Sequence, residues 1–139
     1  LTAIIDVYSR FVVGWGLSNT LDADASIKVL KEAIDKYGKP EIVNSDQGCQ
    51  FTCQKWITLL KDNGIRISMD GKGRALDNIY IERLWRTVKR DYVYLNPADN
   101  GRELYTGLKH FFEEYNYRKY HQGIGRRIPH DLFSNKLER

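Results

Sequence analysis

The sequence predicts a mixed α/β domain, and three observations carry that expectation. Short apolar and β-branched runs recur in the first half of the chain. They alternate with segments whose apolar residues repeat at helical spacing, and clusters of Gly, Pro, Asn and Asp separate the two kinds. At 139 residues, 42% hydrophobic and 29% charged, the chain has the size and balance of one globular domain, and no stretch reads as a linker.

The elements follow in order. Leu1 to Tyr8 and Phe11 to Leu17 are apolar runs separated by Ser9-Arg10, which predicts an antiparallel hairpin. From Asp24 to Tyr37 the residues Ile27, Leu30, Ile34 and Tyr37 repeat as one helical face. Asp22 or Asp24 can cap its start, and Gly38 with Pro40 ends it. Glu41 to Asn44 is a short strand that leads into Ser45-Asp46-Gln47-Gly48. Thr52 is a good N-cap for a second helix that buries Cys53, Trp56, Leu59 and Leu60 and stops at Asn63-Gly64. Ile65 to Met69 is a further strand, and Asp70 to Arg74 reads as a loop. Asp77 can cap a third helix running to about Arg90. After a break at 96–101, a last helix carries Leu104, Leu108, Phe111, Phe112 and Tyr115 on one stripe.

Composition excludes several classes of protein. No run of 18 apolar residues can span a membrane, no signal-peptide pattern is present, and there are no repeats or low-complexity tracts. Two cysteines, Cys49 and Cys53, are too few for a disulfide framework, fit a reducing cytoplasm and lack the partners of a zinc site. The three histidines, His110, His121 and His130, have no metal-ligand spacing. The first residue is Leu and the one methionine is Met69, which suggests an excised piece of a longer chain. Charge is uneven: residues 1–70 hold 8 Lys+Arg against 9 Asp+Glu, and residues 71–139 hold 14 against 9. A basic half points to a polyanion partner or simply to a solvated basic surface.

Two carboxylates stand out. Asp46 follows a short strand and precedes Gly48, the position at which α/β sheets build sites, although Asp near Gly is equally readable as a turn residue. Glu82 shares a helical face with Asn78, Trp85, Arg86 and Lys89. Beside Arg86 it reads either as half of a surface ion pair or as a hard oxygen ligand backed by phosphate-gripping cations.

Taken together, the motifs carry more than any one of them. Ser45-Asp46-Gln47-Gly48-x-Gln50-Phe51-Thr52 is followed by Glu82, after 35 residues from Asp46, and by Lys89 seven positions on. Ahead of these stand Ile5-Asp6-Val7-Tyr8-Ser9-Arg10 and Val13-Gly14-Trp15. Between and after them come Asp70-Gly71-Lys72-Gly73, Asp77-Asn78, Ile81-Glu82-Arg83-Leu84-Trp85, Tyr115-Asn116, His121-Gln122 and Pro129. This series resembles the integrase-like catalytic core of the DDE transposases over nearly the whole chain. It is most similar to bacterial insertion-sequence transposases whose second reading frame encodes a retroviral-integrase-like domain. Two departures stand out: Lys119-Tyr120-His121 replaces the family's Arg-Pro-His, and the strand bearing the family's first catalytic Asp would lie before Leu1. Asp6 resembles a structural position of the family rather than that Asp.

The resemblance implies a ribonuclease H-like mixed sheet flanked by helices, its first strand missing, with residues 1–139 forming one core and about 101–139 part of it. It implies metal-dependent cleavage and joining of an insertion element's terminal DNA to target DNA. Asp46 and Glu82 would be catalytic and would hold Mg²⁺ or Mn²⁺, two ions in the complete family site. Lys89, Asn78, Arg86, Lys72 and Arg74 would contact DNA, and Tyr117, Tyr120 and His121 with Arg118, Lys119, Arg126 and Arg127 can line it. A homo-oligomer in the bacterial cytoplasm, with no membrane partner, is the implied setting. Alternatives are a catalytically inactive DNA-binding remnant and a nuclease of the same fold. Without the further carboxylate and strand, the chain alone is expected to be inactive and poorly soluble.

Overall fold

The computed structural model describes residues 1–18, 23–45, 48–69, 79–93 and 100–137. They fall into two compact units, Leu1–Ile4 with Val13–Ile79 and Ile5–Val12 with Tyr80–Arg139. The observed mixture of strands and helices is the mixed α/β class that the sequence predicts.

In the first unit lie β1 (Thr2–Ile5, all but its last residue) and β2 (Val12–Gly16, all but its first), which form a two-stranded sheet, and α1 (Ala23–Tyr37). The buried stripe of α1 is Ser26, Val29, Leu30 and Ala33, one step around from the expected face. Glycines on β2 explain the offset. A Cβ on Gly14 would stand 3.1 Å from Val29 Cγ1, and one on Gly16 would stand 2.8 Å from Val29 Cγ2, so small residues let the helix seat closely. Gly38, at φ +92°, ends α1 with its N–H on the Ile34 carbonyl, as the sequence predicts.

β3 (Ile42–Ser45) and β4 (Arg66–Met69) pair in parallel, Ile42 opposite Arg66 through Ser45 opposite Met69. Two helices cross between them, α2 (Cys49–Thr52) and α3 (Gln54–Asp62). Thr52 therefore ends one helix rather than capping the next. Cys53 takes an extended backbone, φ −73° and ψ 155°, and breaks the run after the chain has already turned helical behind Gly48. The core of this unit joins Leu30 of α1, Trp56 and Leu60 of α3, and Ile65, with Ile4, Val43, Phe51 and Ile67 packed on it. Trp56 is 2% exposed and Leu60 fully buried, while Cys53 and Leu59 are half-buried.

The second unit contains the turn between β1 and β2, α4 (Ile79–Val88, all but its first residue), α5 (Gly101–Tyr117) and α6 (Pro129–Leu137). β1 stops at Ile5, three residues short of the expected strand end, because the Asp6 carboxylate captures the chain. Its Oδ2 accepts from the Ser9 N–H at 2.9 Å and from the Ser9 hydroxyl at 2.7 Å, and the Ser9 Oγ accepts from the Phe11 N–H at 3.1 Å. Asp6 is thus a turn-forming residue, as its place in the sequence motif implies. α5 is capped by Asn100, whose Oδ1 accepts from the Glu103 N–H at 2.9 Å. Of the expected stripe, Leu108, Phe112 and Tyr115 are buried and Leu104 and Phe111 are half-buried, and Asn116 joins the buried set. α6 was not expected from the sequence. It buries Leu132 and Phe133, and Phe133 stacks on Phe11 with centroids 4.7 Å apart.

Candidate active site

The placement of Glu82 follows from the amphipathicity of α4. Leu84 and Val88, four residues apart, are 2% and 1% exposed and anchor the helix in the second unit. Glu82 and Arg86 each lie two residues before one of these anchors, about 200° around a 3.6-residue helix, and both are exposed. Trp85 is half-buried beside them, and Lys89 is exposed. The α-helix ends at Val88 and not near Arg90, because Lys89–Val93 closes as a π-helical turn, so Lys89 opens that turn instead of continuing the α-helix.

Glu82 and Arg86 stand at the i, i+4 spacing of an ion pair, yet no such pair forms. Among the described residues the Glu82 carboxylate makes no ion pair or hydrogen bond. It is an uncommitted, solvent-facing oxygen donor with two cations on its helix. The ion-pair reading of this pattern is therefore not the one the structure supports.

Asp46 lies outside the described residues. The strand before it ends at Ser45, in register with Met69 at the end of β4, and the side chains of Asn44 and Ser68 bridge the two strands through a 3.0 Å hydrogen bond. β3 thus ends one residue before Asp46 in the sequence, and parallel sheets bind ligands at the carboxyl ends of their strands. Asn78, Lys72 and Arg74 also lie outside the described residues, and so does any separation between Asp46 and Glu82. Among the described residues no group of three or more His, Cys, Asp or Glu is arranged to hold a metal.

The tail residues divide. Tyr120, Arg118, Lys119, Arg126 and Arg127 are exposed. Tyr117 is exposed too, but its ring meets Phe11 edge-on at 5.8 Å and His130 at 4.8 Å. His121 is half-buried. Its Nε2 lies 3.2 Å from the Tyr115 carbonyl, and its ring meets the Tyr115 ring edge-on at 4.4 Å. Burial holds the His121 pKa below its ordinary 6.5, opposed by the hydrogen bond to Tyr115 and assisted by the nearby Lys119 charge. Burial pushes the Tyr115 hydroxyl up to about 12, with the charge of Arg10 pulling the other way.

Arg10 is the residue that sequence reasoning passed over. It sits in the left-handed region at φ 64°, which non-glycine residues seldom occupy, and its guanidinium lies 3.8 Å from the centre of the Tyr80 ring. The available signal was its place directly after the Asp6-to-Ser9 turn.

Comparison with known proteins fits this layout. The integrase core domain family matches residues 1–75, and a second integrase core domain family matches residues 63–129. The InsK protein of insertion sequence element IS150 from Escherichia coli K12 is 31% identical over 121 residues, covering 86% of this chain and 43% of that protein. The transposase of insertion sequence element IS904 from Lactococcus lactis is 30% identical over 138 residues, covering 95% and 53%. The chain therefore spans about half the length of the curated relatives it matches. Among solved structures, the catalytic core of the HTLV-2 integrase in complex with magnesium superposes with a TM-score of 0.70 at 17% identity, covering 93% of this chain and 80% of that one. That likeness shows the ribonuclease H-like fold of the retroviral integrase cores. The chain belongs to the integrase core domain family, alongside transposases of bacterial insertion sequences.

Proposed function

We propose that this chain is the catalytic core of an insertion-sequence transposase, which cleaves and joins DNA at the ends of its element. The observation that carries the reading is Glu82, an exposed carboxylate without a partner among the described residues, on a helix that also exposes Arg86 and is followed directly by the exposed Lys89. A carboxylate beside two basic side chains in the basic half of the chain suits a phosphodiester substrate. The family match across residues 1–75 and 63–129 supports the same reading.

The donor set fits a hard divalent cation. Glu82 offers oxygen that no neighbouring cation has claimed, and Asp46 is a second hard donor, whereas the described residues offer no Cys/His cluster for a softer metal. Asp46 and Glu82 would hold Mg²⁺ or Mn²⁺, two ions in a complete site. Bound there, such ions stabilise charge on the attacking and leaving oxygens of an in-line displacement. Lys89 and Arg86 grip backbone phosphates and set the strand along α4, and Asn78, Lys72 and Arg74 add contacts. Residues 1–139 act as one core, a second copy assembles with it to hold paired ends, and the setting is the bacterial cytoplasm, where the DNA is. No helix among the described residues is long and apolar enough to cross a membrane.

The test is a strand-transfer assay on duplexes bearing candidate element ends. A full-length transposase that carries this core should show Mg²⁺- or Mn²⁺-dependent joining. Asp46→Asn or Glu82→Gln should remove it while DNA affinity stays within about twofold. Joining that survives either substitution would overturn the assignment.

A further inference from the structure

A cavity of about 160 Å³ in the second unit is lined by Arg10, Tyr80, Arg83, Thr87, Tyr115 and His121 among others, and among the described residues no Asp or Glu lines it. Its volume is several times the roughly 30 Å³ that one water occupies in the liquid. Three of its walls carry a basic group. Arg10 reaches it from the hairpin turn, Arg83 from α4, and His121 from the segment after α5. Among the described residues, neither guanidinium has a carboxylate partner.

This pocket is built rather than incidental. Arg10 is held at φ 64° by the hairpin turn, its N–H on the Asp6 carbonyl at 2.7 Å. Its guanidinium carbon lies 3.8 Å from the centre of the Tyr80 ring, and His121 is held by Tyr115 through both its ring and its Nε2. Thr87 spends its hydroxyl proton on the Arg83 carbonyl, at 3.0 Å, which leaves its oxygen an acceptor. The Tyr115 hydroxyl stays protonated well past neutrality and remains a donor. Two forked guanidiniums with a phenol around one cavity make a donor set for a tetrahedral oxyanion, while His121, its Nε2–H donating to the Tyr115 carbonyl, lines one wall.

Resting on the DNA reading above, we propose that Arg10 and Arg83, with His121 as a wall beside Tyr115, form a phosphate subsite that holds one backbone phosphodiester of the bound DNA, to one side of the Glu82 face. Arg83 and Thr87 each follow, by one residue, a member of the exposed pair Glu82 and Arg86, so the subsite lies about 100° around α4 from that pair. A strand carries one phosphate per nucleotide, so a strand running over the Glu82 face offers further phosphates to this flank. The subsite positions the strand and takes no part in the displacement.

Two measurements test this. Inorganic phosphate, titrated into the chain, should shift the His121 ring resonances saturably and leave those of His110 unmoved, and Arg83→Ala should abolish the shift. In duplex binding between 50 and 200 mM salt, Arg83→Ala should make the slope of log K against log salt shallower by about 0.9, a three- to fourfold smaller loss of affinity across that range. Arg10→Asn, which tolerates the left-handed backbone, should do the same. Because both arginines grip one phosphate, the double variant should lose no more slope than either single variant. Arg83 is exposed, so its substitution should leave the melting curve unchanged and keep the test open if Arg10→Asn does not fold. A phosphate shift with unchanged DNA slopes would overturn the proposal in favour of a free-phosphate site. Unchanged slopes with no phosphate shift, in a chain that binds DNA, would overturn the subsite and leave the DNA reading intact. A wild-type chain that binds no DNA would overturn both.

Discussion

Replacing Asn116 by Ala should cost more stability than its single side chain suggests. Asn116 is 7% exposed, and Val12 is 4% exposed. The Asn116 Oδ1 accepts from the Val12 N–H at 2.8 Å, and its Nδ2 donates to the Val12 carbonyl at 3.0 Å, so one amide satisfies both backbone groups at the start of β2. Alanine leaves a buried donor and a buried acceptor unpaired, each costing about 1–3 kcal/mol. The expected loss is about 3 kcal/mol, a large fraction of the 5–15 kcal/mol typical of a domain. At an m-value of about 1–3 kcal/mol/M, the urea midpoint should fall by about 1–3 M with m unchanged. Asn100→Ala is the internal control, because it removes one exposed cap bond to the Glu103 N–H and should cost about 1 kcal/mol. Urea curves followed by far-UV circular dichroism would measure both. A loss below about 0.5 kcal/mol at Asn116, or equal losses at the two asparagines, would refute the reasoning.

Other expectations are as direct. Gly16→Ala sets a methyl 2.8 Å from Val29 Cγ2 and should destabilise the chain by about 1–3 kcal/mol through overpacking, read from the same urea midpoint, whereas a neutral result would show that Val29 yields freely. The Tyr115 hydroxyl ionises at about 12 when folded against 10.0 when unfolded, so its contribution is intact below pH 10 and drains away between pH 10 and 12. Tyr115→Phe should flatten stability against pH in that window, and an unchanged alkaline slope would show that burial is not what holds the proton. Lys89→Ala should weaken duplex binding alike for all sequences and make the salt slope shallower by about 1, which identical slopes would contradict.

What was legible in the sequence was local. The stripe Leu108, Phe112, Tyr115 repeats within one helix, and the glycine that ends α1 sits one residue past Tyr37, so periodicity and turn chemistry alone place both. The turn at Asp6 is local too: its carboxylate binds Ser9, three positions on, and its backbone bonds Arg10 and Phe11. The misses were long-range or subtle. Asn116 is partnered 104 residues away at Val12, and α6 is held by Phe133 stacking on Phe11 from the far end of the chain, contacts that no window of sequence contains. The start of α2 at Cys49 escaped because Thr52 was the better cap by residue type, yet the chain was helical before reaching it. The π-turn after Val88 has no sequence signature, and it takes Lys89 out of the α-helix on which Glu82 sits. As for the site, the pattern of Asp46, Glu82 and Lys89 was legible as a motif. The availability of Glu82 was not, since an i, i+4 neighbour such as Arg86 reads equally well as its ion-pair partner.

The central claim is that Asp46 and Glu82 hold one divalent-cation site between them. Titrating Mn²⁺ into the isotopically labelled chain and following paramagnetic broadening of their carboxylate resonances tests it most directly. Both signals should bleach with one half-point, Mg²⁺ in excess should restore them together, and Asp46→Asn or Glu82→Gln should abolish the effect at the other residue. Broadening at one carboxylate that ignores substitution of the other would contradict it.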